Sequence, residues 1–258
     1  MDVVIVPDDA TIGALAADQY EKLLKAKPDA VIGLATGSSP LSTYAELIKR
    51  YEAGTISFAQ ATAFMLDEYV GIDPDHPERY RNVIHNEIAS KVDLRPEAVH
   101  GPDGNAEDLA DACADYEAKI AAAGGVDLQI LGIGSDGHIA FNEPGGSLAS
   151  RTHLGVLTAQ TREDNARFFD GDLSKVPTHC LTQGLATIMS AKKLVLVAQG
   201  AGKAEAIRQL VEGGVSAKWP ATIMQHHPDA LVIVDEAAGS KLELADYYRE
   251  VAKASGLV

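Results

Sequence analysis

Short apolar runs separated by helix-length segments constrain this chain more than any other feature. Such runs occupy Val3 to Val6, Ala30 to Ala35, Ala61 to Leu66, Val126 to Ile133, Lys193 to Ala198 and Ala230 to Asp235, with a further strand expected at His153 to Thr158. Helical patterns fall between or after them, at Asp8 to Lys25, from the Thr36–Pro40 turn to about Tyr51, and at His76 to Ile88, Glu107 to Ala123, Arg162 to Phe169, Lys203 to Glu212 and Leu242 to Ala254. A strand that is apolar throughout, rather than at every second residue, must be covered on both faces. Its alternation with helices predicts an α/β fold with a mostly parallel central sheet. With no internal repeat, low-complexity segment or Pro/Ser-rich linker, residues 1–258 are expected to form a single domain.

Several functions are disfavoured by composition. A net charge of −15 opposes binding to nucleic acid or an acidic membrane surface, both of which call for a basic face. No tract is long enough to span a bilayer, and the start Met-Asp-Val-Val-Ile-Val lacks the regions of a signal peptide. Cys113 and Cys180 make neither a disulfide framework nor metal-ligand spacing, so reduced thiols and a cytoplasmic setting are expected. An acidic chain that binds an anion must do so with local donors, namely helix N-termini and a few placed cations.

The strand at Val126 empties into Gly132-Ile-Gly-Ser-Asp-Gly-His-Ile-Ala-Phe-Asn-Glu-Pro-Gly145, where Asp136, His138 and Glu143 fall within eight residues. Open α/β sheets place ligands at such strand ends. Asp136 is close enough to orient the imidazole, and Glu143 is expected on its far side, an arrangement suited to moving protons near neutral pH. A loop histidine that only makes structural hydrogen bonds is the competing reading. Metal binding is disfavoured for want of a further ligand or a helical His pair. Gly132 to Gly137 also matches G-x-G-x-x-G, but the segment opens a loop rather than a helix, and no acid ends a strand about 20 residues on.

Three other strand ends carry polar residues. Thr36-Gly37-Ser38-Ser39-Pro40 offers hydroxyls and helix-start N–H groups suited to a phosphate, or simply a serine N-cap. Asp67-Glu68 follows a buried strand, where a carboxylate serves either as a base with a raised pKa or as a helix cap. Arg167 and Lys203 are candidate phosphate cations. Lys203 is not part of a P-loop, because Val197 and Ala204 stand where a glycine and a hydroxyl residue belong. No G-x-S-x-G elbow supports a serine hydrolase.

Taken together, Ala35-Thr-Gly-Ser-Ser-Pro40, Leu66-Asp-Glu-Tyr-Val-Gly71, Asp75-His-Pro77, Gly132 through Gly145, Arg167-Phe-Phe-Asp170, Gly202-Lys-Ala204, Trp219-Pro-Ala221 and His227-Pro228 resemble the glucosamine-6-phosphate deaminase family nearly end to end. The related 6-phosphogluconolactonases share the first turn and Asp-Gly-His, but typically have Asp-Glu-Arg at 67–69 and lack the Phe141–Pro144 continuation. The resemblance implies a Rossmann-like sheet and conversion of D-glucosamine 6-phosphate and water to fructose 6-phosphate and ammonia. It implies Asp67 as the base that moves a proton between C2 and C1, and His138, with Asp136 and Glu143, as the ring-opening group. Thr36, Gly37, Ser38, Ser39, Gly134, Arg167 and Lys203 would bind the sugar phosphate. No cofactor and no metal are expected.

Allosteric members of the family place basic residues just after this loop, where this chain has His153 and Gly155. Little activation by N-acetylglucosamine 6-phosphate is therefore expected, with a monomer or a homo-oligomer smaller than the hexamer of those members. A galactosamine 6-phosphate enzyme, a lactonase and a non-catalytic sugar-phosphate sensor are the rival readings.

Overall fold

The computed structural model describes residues 1–258. In chain order the elements are β1 (Asp2–Val6), α1 (Asp9–Ala26), β2 (Val31–Leu34), α2 (Leu41–Glu52), β3 (Thr62–Met65), β4 (Asp67–Tyr69), α3 (Tyr80–Glu87), β5 (Val99–His100) and α4 (Leu109–Ala122). They continue with β6 (Leu128–Leu131), β7 (His153–Val156), α5 (Ala159–Ala166), β8 (His179–Thr182), α6 (Leu185–Met189), β9 (Lys193–Ala198), α7 (Ala204–Glu212), β10 (Ala230–Asp235) and α8 (Ala245–Ala254).

Seven strands form one sheet in the order β1-β10-β9-β6-β2-β3-β5, and every pairing is parallel. All four residues of β2 and of β6 are buried, as the apolar runs require of strands covered on both faces. The chain steps outward from β2 through β3 to β5, then returns to β6 and steps the other way through β9 to β10. The order therefore reverses between β2 and β6, and an open α/β sheet carries its crevice at such a switch point, beyond the carboxyl ends of the strands. The ends of β2, β3, β6 and β9 share that edge, as the sequence predicts.

The strand expected at His153 does form, but as β7 of a second, antiparallel sheet, β4-β8-β7. Leu154 and Val156 point to solvent from this sheet while Gly155 is buried, the alternation of a strand covered on one face only. Beneath it lies a separate core that includes Tyr69, Phe141, Leu157 and Phe169. Three expected helices start at other residues, the C-terminal one at Ala245 rather than Leu242. The one expected from His76 begins only at Tyr80, where the Glu68 carboxylate meets its first N–H groups. The one expected from Arg162 begins at Ala159, because the Thr158 hydroxyl caps it by accepting from Thr161 N–H. Cys113 and Cys180 are both buried and unbonded to each other, and no helix is long and apolar enough to cross a membrane.

Candidate active site

A cavity of about 900 Å³ opens at the switch point, lined from every strand end that the sequence singles out. Thr36, Gly37, Ser38 and Ser39 enter it from the end of β2, Asp67 from the end of β3, Gly134 and His138 from the loop after β6, Lys203 from the turn after β9, and Arg167 from the end of α5. Asp136 and Glu143 do not line the cavity; they stand behind His138.

The turn after β2 is built to present donors. Tyr44, on α2, donates to the Ala35 carbonyl (2.7 Å) and accepts from Ala35 N–H (3.0 Å), which fixes where the strand ends. Gly37 then takes φ +90, a conformation glycine adopts without steric cost. No side chain caps the start of α2, so the serine N-cap reading does not hold. The N–H groups of Gly37, Ser38 and Ser39 donate to no protein acceptor, as expected of a helix start left free for an anion. Across the cavity neither Lys203 nor Arg167 has an acid partner; Arg167 lies over the Phe168 ring at 4.7 Å. Burial pulls the Lys203 ammonium below its ordinary pKa, with Asp164 opposing and Arg167 reinforcing the shift.

The two carboxylates after β3 divide the roles that the sequence leaves open between them. Glu68 is the cap: it accepts from the N–H groups of Tyr69, Tyr80 and Arg81, each at 3.0 Å, and its pKa is raised chiefly by burial. Asp67 is only 6% exposed and makes no hydrogen bond with its side chain. The chain leaves the large sheet at Leu66 and enters the small one at Asp67, which stations the carboxyl in the bend between them. Burial, then the nearby Glu68 charge, pushes Asp67 up to about 8, the range a general base needs near neutral pH.

His138 meets both of its acids on one nitrogen. Nδ1 lies 2.8 Å from Asp136 Oδ1 and 3.6 Å from Glu143 Oε2, so Glu143 is not on the far side of the ring as the sequence reading expects. The reason is the backbone: Ala140, a non-glycine residue at φ +51, turns the loop back so that Glu143 returns to the same side. Glu143 is held there by Thr158 N–H, which donates to its Oε1 at 3.1 Å. Nε2, across the ring, is left for the cavity. Burial raises the Asp136 pKa, but hydrogen bonding and charge from His138 outweigh it and hold the carboxyl at about 2.

Two glycines make this packing possible. A Cβ on Gly134 would sit 2.4 Å from the His138 ring, and one on Gly137 would sit 2.6 Å from Trp219. Trp219 braces the loop from behind, where Ala221 N–H also donates to the Gly137 carbonyl at 2.9 Å. The donor atoms of Asp136, His138 and Glu143 lie within 4.8 Å of one another, a spacing that would also suit a divalent cation on two carboxylates and an imidazole.

Sequence reasoning missed Tyr80, which lines the cavity and whose hydroxyl reaches that of Tyr69 at 3.1 Å. It also missed Asn142 and Gln183, buried polar residues in the layer behind. Asn142 could have been flagged by its place between His138 and Glu143; nothing in the sequence distinguishes Gln183.

The model of the glucosamine-6-phosphate isomerases/6-phosphogluconolactonase family matches residues 9–233. A glucosamine-6-phosphate deaminase of Beutenbergia cavernae is 68% identical over 250 residues, covering 97% of this chain and 96% of that protein. One from Mycolicibacterium smegmatis is 65% identical, covering 98% and 97%. Among solved structures, a monomeric glucosamine-6-phosphate deaminase superposes with a TM-score of 0.91 at 41% identity, covering 93% of this chain and 99% of that one. The 6-phosphogluconolactonase of Trypanosoma cruzi, at 19% identity and a TM-score of 0.76 over 94% of this chain and 97% of that one, shares the fold. The chain belongs to the family of glucosamine-6-phosphate isomerases and 6-phosphogluconolactonases.

Proposed function

We propose that this chain is an amino-sugar phosphate deaminase that converts D-glucosamine 6-phosphate and water to D-fructose 6-phosphate and ammonia, using residues 1–258 as one catalytic domain. The observation that carries the reading is the pairing, in one cavity, of a buried unpartnered carboxyl at Asp67 with the acid-backed imidazole of His138. An aldose–ketose shift needs one base able to face two adjacent carbons, and a cyclic sugar needs a separate acid to open it.

The phosphate binds to the free N–H groups of Gly37 to Ser39 and to Lys203 and Arg167, which supplies binding energy remote from the reacting carbons. His138, protonated and steadied by Asp136 and Glu143, gives a proton from Nε2 to the ring oxygen, and the C1 hydroxyl returns its own to that nitrogen as the aldehyde forms. The Asp67 carboxylate takes the C2 proton while Nε2 gives its proton to the C1 oxygen, and Asp67 then delivers the C2 proton to C1, carrying the enolamine to a protonated C2 imine. Water adds at C2 and gives one proton back to Nε2; the other passes from the C2 hydroxyl to nitrogen as the C–N bond breaks, so ammonia leaves and the C2 carbonyl forms. The scheme uses no metal and no cofactor.

The test is ammonia release from glucosamine 6-phosphate by the purified protein, with galactosamine 6-phosphate and 6-phosphogluconolactone in parallel. Ammonia with fructose 6-phosphate from the first substrate supports the proposal; release only from the second, or hydrolysis of the third alone, would replace it. The reading extends to regulation. His153, whose Nδ1 lies 2.8 Å from the Arg151 carbonyl, and the buried Gly155 offer an anionic effector no fixed charge. Saturation curves are therefore expected to be hyperbolic and unmoved by N-acetylglucosamine 6-phosphate; a sigmoidal response relieved by it would contradict this.

A further inference from the structure

We infer that Gln183, which does not line the cavity, is the positioning residue that fixes the base Asp67 relative to the His138 loop; the inference rests on the reaction proposed above. Gln183 is 1% exposed and stands just after β8. Its backbone N–H donates to the Leu66 carbonyl at 2.7 Å, and its side-chain Nε2 donates to the Met65 carbonyl at 2.9 Å. These are the two carbonyls that precede Asp67, at the point where the chain leaves the parallel sheet and would otherwise lose its ladder partners. The Gln183 carbonyl accepts from Asn142 Nδ2 at 2.8 Å, and the same Nδ2 donates to the Ile139 carbonyl at 3.0 Å, next to His138. One buried residue thus grips the strand that ends in the base and the loop that carries the acid.

The neighbouring residue repeats the tie. Thr182 pairs with Asp67 across β4 and β8, and its hydroxyl accepts from Phe141 N–H at 3.1 Å. Asp67 works at C1 and C2 while His138 works at the ring oxygen bonded to C1, so their separation must suit neighbouring atoms of one substrate. Held by separate flexible loops, the two groups would drift independently. A common crosspiece couples them, and a misplacement of about 1 Å costs on the order of 100-fold in rate.

Met65 O also accepts from the Tyr116 hydroxyl, at 2.5 Å, so removing the Gln183 amide leaves no carbonyl orphaned. That separates positioning from folding. Gln183→Met keeps the chain length and removes the donor. It is expected to lower kcat on glucosamine 6-phosphate by about 10- to 100-fold while KM stays within about threefold, because Lys203 and Arg167 are untouched. Ile12→Val, a truncation in the distant core, serves as the control for lost stability and is expected to leave kcat unchanged. A second readout needs no substrate: the His138 ring resonances of the free variant should move relative to wild type. Should Gln183→Met fail to fold, Gln183→Asn, which keeps the amide but withdraws it by one methylene, is predicted to give the same split.

An unchanged kcat with unmoved His138 resonances would overturn the inference, as would a loss confined to KM. If wild type releases no ammonia from any sugar phosphate, the proposed reaction fails, and the resonances alone decide whether Gln183 ties the two elements together.

Discussion

Asp67 and Asp127 are buried to almost the same degree, 6% and 5% exposed, at opposite edges of the same sheet, and they titrate in opposite directions. Asp127 stands just before β6, at the edge where strands begin. It accepts from Lys192 Nζ at 2.6 Å, Lys27 Nζ at 2.7 Å and Val31 N–H at 2.7 Å. Burial is the largest single influence on it and pushes its pKa up, but the three donors together outweigh burial and hold the carboxyl below the usual range. Asp67 stands at the edge where strands end, with no donor, and burial carries it to about 8. Burial alone therefore does not say what an acid does. A carboxylate supplied with partners staples the fold, and one denied them keeps a proton available for chemistry.

Substitutions at the two positions should break in opposite ways. Asp67→Asn is expected to lower kcat by about 1000-fold, the scale of a lost general base. It should also stabilise the protein. Unfolded, Asp67 releases its proton near 3.8; folded, it holds the proton until about 8, so native stability falls as pH rises between those values. That shift corresponds to on the order of 5 kcal/mol when fully expressed. Asparagine removes the penalty, so the variant's Tm should match wild type near pH 4 and exceed it by on the order of 10 °C at pH 8. Equal melting temperatures at pH 8 would mean that Asp67 is not a strained acid.

Asp127→Ala should do the reverse, costing about 3 kcal/mol of stability by chemical denaturation while kcat on the intact fold is unchanged. Wild-type stability from this residue is present above pH 3.8 and is lost as pH falls through its lowered folded pKa. A variant as stable as wild type would show the three donors to be incidental. The smallest expected effect is at the phosphate end. Lys203→Met should raise KM by about 10- to 100-fold, the worth of a hydrogen bond to a charged group, with a lesser fall in kcat. A loss confined to kcat would place Lys203 in the chemistry instead.

The contrast also explains what the sequence discloses. The buried strands β2, β6, β9 and β10 and the four strand ends are readable because mainly apolar runs and glycine turns are local signals. That Glu68 would cap a helix while Asp67 stayed bare is not, since the cap depends on N–H groups 12 and 13 residues away that only the fold brings near. The proximity of Asp136 and His138 follows from a spacing of two residues. The return of Glu143 to the same ring nitrogen depends on the left-handed turn at Ala140, and an alanine does not advertise one. β4, β5 and β8, at two to four residues each, are too short to show a period. Gln183, just after β8, is invisible for that reason, although it makes a 2.9 Å bond to a residue 118 positions away.

The measurement that bears most directly on the role of Asp67 is the pH dependence of kcat/KM for glucosamine 6-phosphate with the wild-type protein, because that ratio reports ionisations of the free enzyme. If the unpartnered Asp67 is the base, activity should rise with pH through an acid limb near 8. An acid limb near 4, the ordinary carboxylate range, with Asp67→Asn still active, would contradict it.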